Sequence, residues 1–246
     1  MGQAGWTRTS SPHMSKDLGT DIAIRARNVT LTLGTRAAPT TILKGIDLDI
    51  AAGSSVAILG PSGSGKSSLM AILSGLERAS GGTVEVAGVA YADLDEDGLA
   101  RARRGRVGIV LQAFHLLPTM TALENVAVPL ELAGVDDPFA RAAAELEAVG
   151  LGHRLTHYPV QLSGGEQQRV AIARAVAGGP KILFADEPTG NLDGATSGTI
   201  VDLLFERRRA AGATLVIITH DPSLADRCDR VLTMRDGLIV ADCAGS

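Results

Sequence analysis

Short apolar runs of strand length alternate with segments of helical periodicity along this chain. Four runs are almost continuously apolar, at residues 55–59, 107–111, 182–185 and 214–219. Such runs are typical of strands buried on both faces of a parallel sheet. Residues 21–33 and 42–50 instead alternate apolar and polar positions, which predicts strands with one buried face and a loop at residues 34–40. The pattern predicts an α/β fold with a mainly parallel sheet and an N-terminal antiparallel β layer.

Between the second and third apolar runs, residues 113–158 show helical periodicity and no strand of their own. Thr121 and Glu124 form the capping-box pattern that begins a helix, and Pro129 predicts a kink within that helix. A second helix, rich in alanine and glutamate, follows. We therefore expect a helical subdomain at about residues 113–160, inserted between two strands of the sheet.

The composition is that of an ordinary globular protein, with 45% hydrophobic residues, 20% charged residues and a formal net charge of −4. A slightly acidic chain has no general attraction for nucleic acid, and we expect no nucleic-acid partner. A local arginine cluster is interpreted as a solvated face; its members are Arg101, Arg103, Arg104 and Arg106. The two cysteines lack a CxxC spacing, so they indicate neither a disulfide framework nor a zinc site and fit a reducing cytoplasm.

Residues 1–20 are rich in Gly, Ser, Thr and Pro and lack the apolar core of a signal peptide. We expect a flexible N-terminal tail there. No apolar run approaches the roughly 18 residues that a membrane-spanning helix needs. The chain is expected to hold one domain over residues 21–246, without a membrane span of its own.

The glycine-rich sequence GPSGSGKS at residues 60–67 lies between a predicted buried strand and a predicted helix. Glycines let such a loop fold tightly, so that its N–H groups and the following helix N-terminus point at one anion. Lys66 would place a charge on the β- and γ-phosphates, and the Ser67 hydroxyl would ligate Mg²⁺. This spacing arises by chance in roughly one chain in a hundred of this length at average residue usage. The predicted nucleoside-triphosphate site comprises Gly60, Pro61, Ser62, Gly63, Ser64, Gly65, Lys66, Ser67 and Ser68.

Polar side chains follow three other predicted core strands, at the edge where open α/β sheets place their ligands. They are Gln112, the pair Asp186 and Glu187, and His220. Adjacent carboxylates are costly to bury, so we expect Asp186 on Mg²⁺ and Glu187 on the attacking water, pointing to opposite sides of the strand. We expect His220 to contact the γ-phosphate. The alternatives are a locally hydrogen-bonded glutamine or histidine and a solvated carboxylate pair.

Residues 162–168 read LSGGEQQ and lead into a predicted helix. Ser163 and Glu166 form a second capping box, which accounts for part of the motif. Helix propensity does not account for Gly164 and Gly165 in the first turn, where each glycine costs about 1 kcal/mol relative to alanine. Glycines at a helix N-terminus permit an anion to approach the backbone N–H groups. We interpret the segment as a second phosphate-binding surface.

Taken in order, these motifs make the chain resemble the ATP-binding subunits of ABC transporters. The resemblance runs from about residue 21 to residue 242, and LSGGEQ matches the family signature, which is more specific than a phosphate-binding loop. Residues 112–121 and 184–193 are similar to the lipoprotein-releasing and macrolide-exporter branch, and residues 214–230 resemble its YbbA-like members.

The resemblance implies an ATPase that uses ATP and Mg²⁺ and works as a head-to-tail pair of copies. Ser163, Gly164 and Gly165 of one copy would contact the γ-phosphate held by the phosphate loop of the other. The partners implied are therefore a second copy of this chain and an integral membrane permease.

Catalytic roles are also implied by the resemblance. Glu187 would be the general base on water, with Lys66 and His220 as the other catalytic residues. Gln112 would sense Mg²⁺ and report to the permease, which would dock in a groove near residues 113–125. The protein would be peripheral, at the cytoplasmic face of the cell membrane.

One position departs from the family pattern. Most such subunits stack adenine on an aromatic residue after the first strand, and the matching position here is Leu33. Residues 34–90 contain no aromatic side chain. Since apolar contact would replace ring stacking, we expect weak selectivity for the base.

Two other ABC classes do not fit the spacing of these motifs. ABC ATPases of DNA repair separate the phosphate loop from the signature by long coiled coils or zinc modules, and translation-factor types need two cassettes; neither pattern fits this chain. A regulatory ABC subunit that moves a membrane protein without transporting a substrate would carry the same ATPase residues, and that alternative stays open.

Overall fold

The computed structural model describes residues 21–35 and 38–245, which form two β-sheets with α-helices packed around them. The strands are β1 (Ile22–Thr35), β2 (Ala38–Ala51), β3 (Ser55–Leu59), β4 (Gly81–Val86), β5 (Val89–Ala90), β6 (Val107–Val110), β7 (Ile182–Asp186), β8 (Thr214–Ile218), β9 (Arg230–Arg235) and β10 (Leu238–Ala244). The helices are α1 (Lys66–Leu73), α2 (Glu96–Arg103), α3 (Ala122–Leu132), α4 (Pro138–Ala148), α5 (Gly164–Val176), α6 (Gly194–Ala211) and α7 (Pro222–Ala225). The predicted tail at residues 1–20 lies outside the described residues.

The larger sheet has the strand order β10-β9-β3-β8-β7-β6, and all its pairs except β9 with β10 are parallel. Strands β3, β6, β7 and β8 are almost wholly apolar because helices cover both faces of the sheet there. Phe184 and Val216 pack in the same cluster as Ile72 of α1, whereas Leu183 and Leu215 pack in the cluster that holds Leu204 of α6. The predicted mainly parallel α/β sheet is confirmed, and the carboxyl ends of β3, β6, β7 and β8 meet at one edge.

The smaller sheet is antiparallel, with the strand order β2-β1-β4-β5, as predicted for the N-terminal layer. The predicted loop at residues 34–40 is too long. Gly34 pairs with Pro39 and Thr35 with Ala38, so the two strands continue almost to the tip of the hairpin. Polar and small residues can extend an exposed hairpin because its ladder needs no buried face.

Helices α3, α4 and part of α5 share an apolar cluster separate from those that cover the sheet. Val126 and Leu130 of α3, Leu146 of α4 and Val170 of α5 are buried within it. The Thr121 capping box is confirmed: its hydroxyl accepts a hydrogen bond from the Glu124 amide, and the Glu124 carboxylate accepts one from the Thr121 amide. Helix α5 therefore joins the helical region to the core sheet.

Within residues 21–35 and 38–245, no helix is both long enough and apolar enough to cross a membrane.

Candidate functional site

The loop between β3 and α1 bends sharply at Gly60 and Gly65, whose φ angles are +150° and +98°. A Cβ atom at Gly60 would collide with the Met234 carbonyl oxygen, so only glycine fits there. A Cβ atom at Gly65 would lie 2.9 Å from Leu43 Cδ2. The two glycines therefore let the loop approach its neighbours and direct the N-terminus of α1 into the bend.

Lys66 places its ammonium group back over this loop. Its Nζ atom donates hydrogen bonds to the carbonyl oxygens of Gly60 and Pro61, at 2.8 and 2.9 Å. Both partners are neutral, so they orient the ammonium group without cancelling its charge. Together with the positive end of α1, this charge favours a bound anion.

An open cavity of about 530 Å³ lies over the loop. Most of the predicted site residues line it, namely Gly60, Ser62, Gly63, Gly65, Lys66, Ser67, Ser68, Gln112, Asp186, Glu187 and His220. Ile42 of β2 also lines the cavity and was not predicted from the sequence. The cavity lining does not include Pro61, Ser64 or Leu33.

Ser64 lies within the loop and is only 3% exposed. Its hydroxyl has no hydrogen-bond partner among the described residues. Buried hydroxyl groups almost always have a partner, because burial takes away their water. The hydroxyl lies beneath the loop, where a Cβ atom at Gly60 would approach it to 2.9 Å, and not on the cavity lining.

Asp186 is the last residue of β7 and lines this cavity together with Ser67. Burial raises the pKa of Asp186, the neighbouring Ser67 hydroxyl opposes that shift, and the charge of Glu187 adds to it. A carboxylate beside a hydroxyl provides oxygen ligands of the kind that Mg²⁺ prefers. No cluster of three or more His, Cys, Asp or Glu side chains suited to a metal occurs in the described part of the chain.

Strand alternation does not set the direction of the Glu187 side chain. The strand ends at Asp186, and Glu187 adopts a left-handed backbone conformation with a φ of +44°. The Glu187 amide donates to the Ile218 carbonyl oxygen at 2.9 Å, which fixes this turn against β8. Strand alternation therefore does not apply to Glu187, and the separate tasks predicted for the two carboxylates stay a prediction.

The turn brings Glu187 to His220, which follows β8. The His220 Nδ1 atom lies 2.9 Å from each carboxylate oxygen of Glu187. The hydrogen bond and the negative charge of Glu187 raise the pKa of His220. Both residues also line a second cavity of about 690 Å³, so the pair faces both cavities.

Gln112 follows β6 and lies against the turn after β7. The Asn191 Nδ2 atom donates to the Gln112 carbonyl oxygen at 2.8 Å. A Cβ atom at Gly190 would lie 2.9 Å from the Gln112 Nε2 atom, so the missing side chain of Gly190 makes room for the glutamine. The sequence offered no signal for this contact.

Ser163 caps α5 as predicted: its hydroxyl accepts from the Glu166 amide, and the Glu166 carboxylate accepts from the Ser163 amide. A Cβ atom at Gly165 would lie 2.6 Å from Thr196 Cγ2 of α6. Gly165 therefore also permits close packing of two helices. Ser163, Gly164 and Gly165 do not line the cavity over the phosphate loop of their own chain.

A glycine-rich loop with its lysine at the carboxyl edge of a parallel sheet, faced by a strand-end Asp and Glu, defines a P-loop nucleoside-triphosphate-binding protein. Residues 43–190 match the sequence profile of the ABC transporter family. The chain belongs to the ABC transporter family, as one of its ATP-binding, ATP-hydrolysing subunits.

Related proteins and a solved structure support the same family assignment. The chain is 52% identical to the uncharacterized ABC transporter ATP-binding protein YbbA of Escherichia coli strain K12, over 80% of this chain and 87% of that protein. It is also 52% identical to the lipoprotein-releasing system ATP-binding protein LolD of Anaeromyxobacter dehalogenans, over 82% of this chain and 86% of that one. The ATP-binding cassette MJ0796, solved as a dimer in a post-hydrolysis state bound to ADP and Pi, superposes with a TM-score of 0.83 at 38% identity, covering 90% of this chain and 98% of that one.

Proposed function

We propose that two copies of this chain pair head to tail and hydrolyse two molecules of MgATP at sites that both copies share. The hydrolysis would drive an integral membrane permease, with the chain at the cytoplasmic face of the cell membrane. The observation that carries the proposal is the separation of two anion-binding motifs: the phosphate loop lines a cavity to which the LSGGEQ segment of its own chain does not contribute.

The phosphate loop would hold the triphosphate through its N–H groups and the Lys66 ammonium group. Mg²⁺ would be held by Ser67, Gln112 and Asp186, together with phosphate oxygens, because Mg²⁺ sites in nucleotide enzymes use few protein ligands. When bound, Mg²⁺ would neutralise charge on the β- and γ-phosphates. The assignment is supported by the cavity lining, which contains all three residues.

Glu187 is the proposed general base on the attacking water. Its carboxylate is held by the left-handed turn after β7 and lines the cavity over the phosphate loop. His220 would leave the Glu187 carboxylate and donate to the γ-phosphate when the nucleotide binds. This exchange of partners would free the Glu187 carboxylate at the moment when a water needs a base.

The second half of each site would come from the partner copy. The N-terminus of α5 carries the positive end of the helix dipole, and Ser163, Gly164 and Gly165 lie at that end. The solved dimer of MJ0796 supports this pairing by its similarity. ATP would then be buried between the copies, and its hydrolysis would let them separate.

The permease would bind near residues 113–125, where the side chain of Leu117 is 42% exposed. The similarity to LolD supports a permease of the lipoprotein-releasing kind. The loop that begins at Gln112 would connect the Mg²⁺ ligand to this surface. A change at the nucleotide would thereby reach the membrane partner.

A mixing experiment tests the shared site. Lys66→Ala disables the phosphate loop and Ser163→Asp disables the signature, so each variant alone should be inactive. A mixed dimer of the two variants still has one site with an intact loop and an intact partner signature. Mixing should restore roughly a quarter of the wild-type rate, because half of the dimers are mixed and each has one working site.

The matched control is the chain that carries both changes, Lys66→Ala and Ser163→Asp. Mixed with either single variant, it forms no site in which both halves are intact. Activity that stays at the sum of the two separate variants after mixing would contradict the head-to-tail arrangement.

A further inference from the structure

Two side chains of α5 each hold a loop of the candidate active site. The first is Gln168, which is completely buried. Its Nε2 atom donates to the Pro188 carbonyl oxygen at 2.7 Å, and Pro188 follows Glu187 directly. This hydrogen bond therefore fixes the position of the proposed general base relative to α5.

The second is Arg174, two turns further along the helix. Its Nη1 atom donates to the His115 carbonyl oxygen at 2.7 Å, and its Nη2 atom donates to the Phe114 carbonyl oxygen at 2.8 Å. Burial lowers the pKa of Arg174, and no carboxylate of the described residues opposes that shift. The planar guanidinium group thus donates from its two Nη atoms to two neutral carbonyl oxygens, an arrangement that its forked shape favours.

The two residues that Arg174 holds have an unusual backbone. Phe114 and His115 have φ angles of +58° and +47°, a conformation that residues with a Cβ atom rarely adopt. Two such residues in succession persist only where the surroundings fix them. The fork of Arg174 supplies that restraint, because the left-handed turn places consecutive carbonyl oxygens on one side.

Other elements fix both ends of the same loop. Asn191 donates to the Gln112 carbonyl oxygen at its start. Asn125 of α3 binds Leu117 at its end, accepting from the Leu117 amide at 2.7 Å and donating to its carbonyl oxygen at 3.1 Å. Arg174 is therefore the contact through which α5 acts on the middle of the loop.

We propose that Arg174 is a positioning residue, whose paired bonds to the Phe114 and His115 carbonyls make α5 a rigid link between the signature and the loop at residues 112–117. The inference rests on the proposed function, since the N-terminus of α5 would contact the ATP of the partner copy. Helix α5 has 13 residues and spans about 20 Å at 1.5 Å per residue. ATP of the partner copy, bound at the N-terminus of α5, would thereby restrain the loop at residues 112–117, near which the permease is proposed to bind.

Hydrogen exchange of the full chain without nucleotide tests the restraint itself. The amides of Phe114 and Leu117 are hydrogen-bonded, to the Leu111 carbonyl and the Asn125 side chain, so their exchange reports the order of the loop. In Arg174→Gln, and in Arg174→Lys, which keeps the charge but loses the fork, exchange at residues 113–117 should rise at least tenfold. Amides of β8 should be unchanged.

Arg141→Gln is the matched control. Arg141 also donates to a backbone carbonyl, that of Ala177, at 3.2 Å, but it touches no loop of the candidate site. The control should leave exchange at residues 113–117 as it is in the wild type. Unchanged exchange in Arg174→Gln, or a rise of equal size in β8, would overturn the proposal, because neither result fits a local restraint.

The link to the partner's ATP is tested in the Glu187→Gln background, with dimer formation followed by size-exclusion chromatography. ATP should slow exchange at residues 113–117 when Arg174 is present and should leave it unchanged when Arg174→Gln is added, although the dimer still forms. Slowing of equal size in both proteins would overturn the link. Absence of any dimer with Arg174 present would contradict the proposed function instead, and the exchange test without nucleotide would still decide the restraint.

Discussion

The imidazole of His220 and the carboxylate of Glu187 form a close pair, with His220 Nδ1 at 2.9 Å from both carboxylate oxygens. The pair connects the ends of β7 and β8, and the two side chains differ sharply in exposure, at 76% for His220 and 16% for Glu187. In this arrangement the imidazole occupies acceptor sites of the carboxylate that the proposed mechanism assigns to water. The proposal therefore has His220 leave Glu187 when the nucleotide binds.

The pair predicts the titration of His220. Glu187 raises the pKa of His220, first through the hydrogen bond and then through its charge, and Asp221 adds a smaller effect of the same sign. Glu187→Gln should therefore lower the pKa of His220 toward the ordinary value of about 6.5, as measured by NMR titration of the ring protons. Glu131→Gln, a change on the helical region, should leave the titration where it is.

The raised pKa of His220 also determines how the stability of the fold changes with pH. Because the pKa is raised in the folded state, the pair stabilises the fold fully below the unfolded pKa of His220 and loses that contribution as the pH rises through the folded value. The difference in unfolding free energy between the wild type and Glu187→Gln should shrink over that interval. A difference that grows with pH would contradict the pairing.

Gly190→Ala should impair hydrolysis through Gln112. The new methyl group would lie 2.9 Å from the Gln112 Nε2 atom and must displace the end of the glutamine side chain. We expect kcat to fall by about a hundredfold, the effect of misplacing a group at the reacting centre by about 1 Å. Gly194→Ala is the control, because no atom lies within 4 Å of a Cβ atom there. Equal rates for the two variants would show that Gln112 has no such role.

Base selectivity should be weak. Leu33 lies near the end of β1 and is 45% exposed, so it can offer only apolar contact to a base. ATP and GTP should be hydrolysed with similar kcat/KM, and Leu33→Tyr should lower KM for both nucleotides by several-fold, since ring stacking on either purine is worth about 1 kcal/mol. A large preference for ATP in the wild type would count against this account of Leu33.

The sequence predicted the parts of the site whose chemistry depends on neighbouring residues. A glycine-rich loop after an apolar strand, and carboxylates at a strand end, are local patterns, and the structure brings most of their residues to one cavity. The start of a helix at the LSGGEQ segment was predicted in the same way, since Ser163 caps α5 through contacts with a residue three positions away.

Contacts between distant segments could not be predicted in this way. The left-handed turn at Glu187 depends on its bond to Ile218, and the bonds of Arg174 join residues about sixty positions apart. Ile42 reaches the cavity only because β2 passes beside the phosphate loop. Each of these positions is set by tertiary packing, for which a periodic pattern carries no signal.

Glu187→Gln tests the central claim most directly, with ATP hydrolysis and ATP-dependent dimer formation measured on the same preparation. The substitution keeps the size of the side chain and removes the base. Hydrolysis should fall by a hundredfold or more, about the contribution expected of a general base, while ATP still drives two copies together. Hydrolysis at the wild-type rate would show that Glu187 is not the base and would contradict the account.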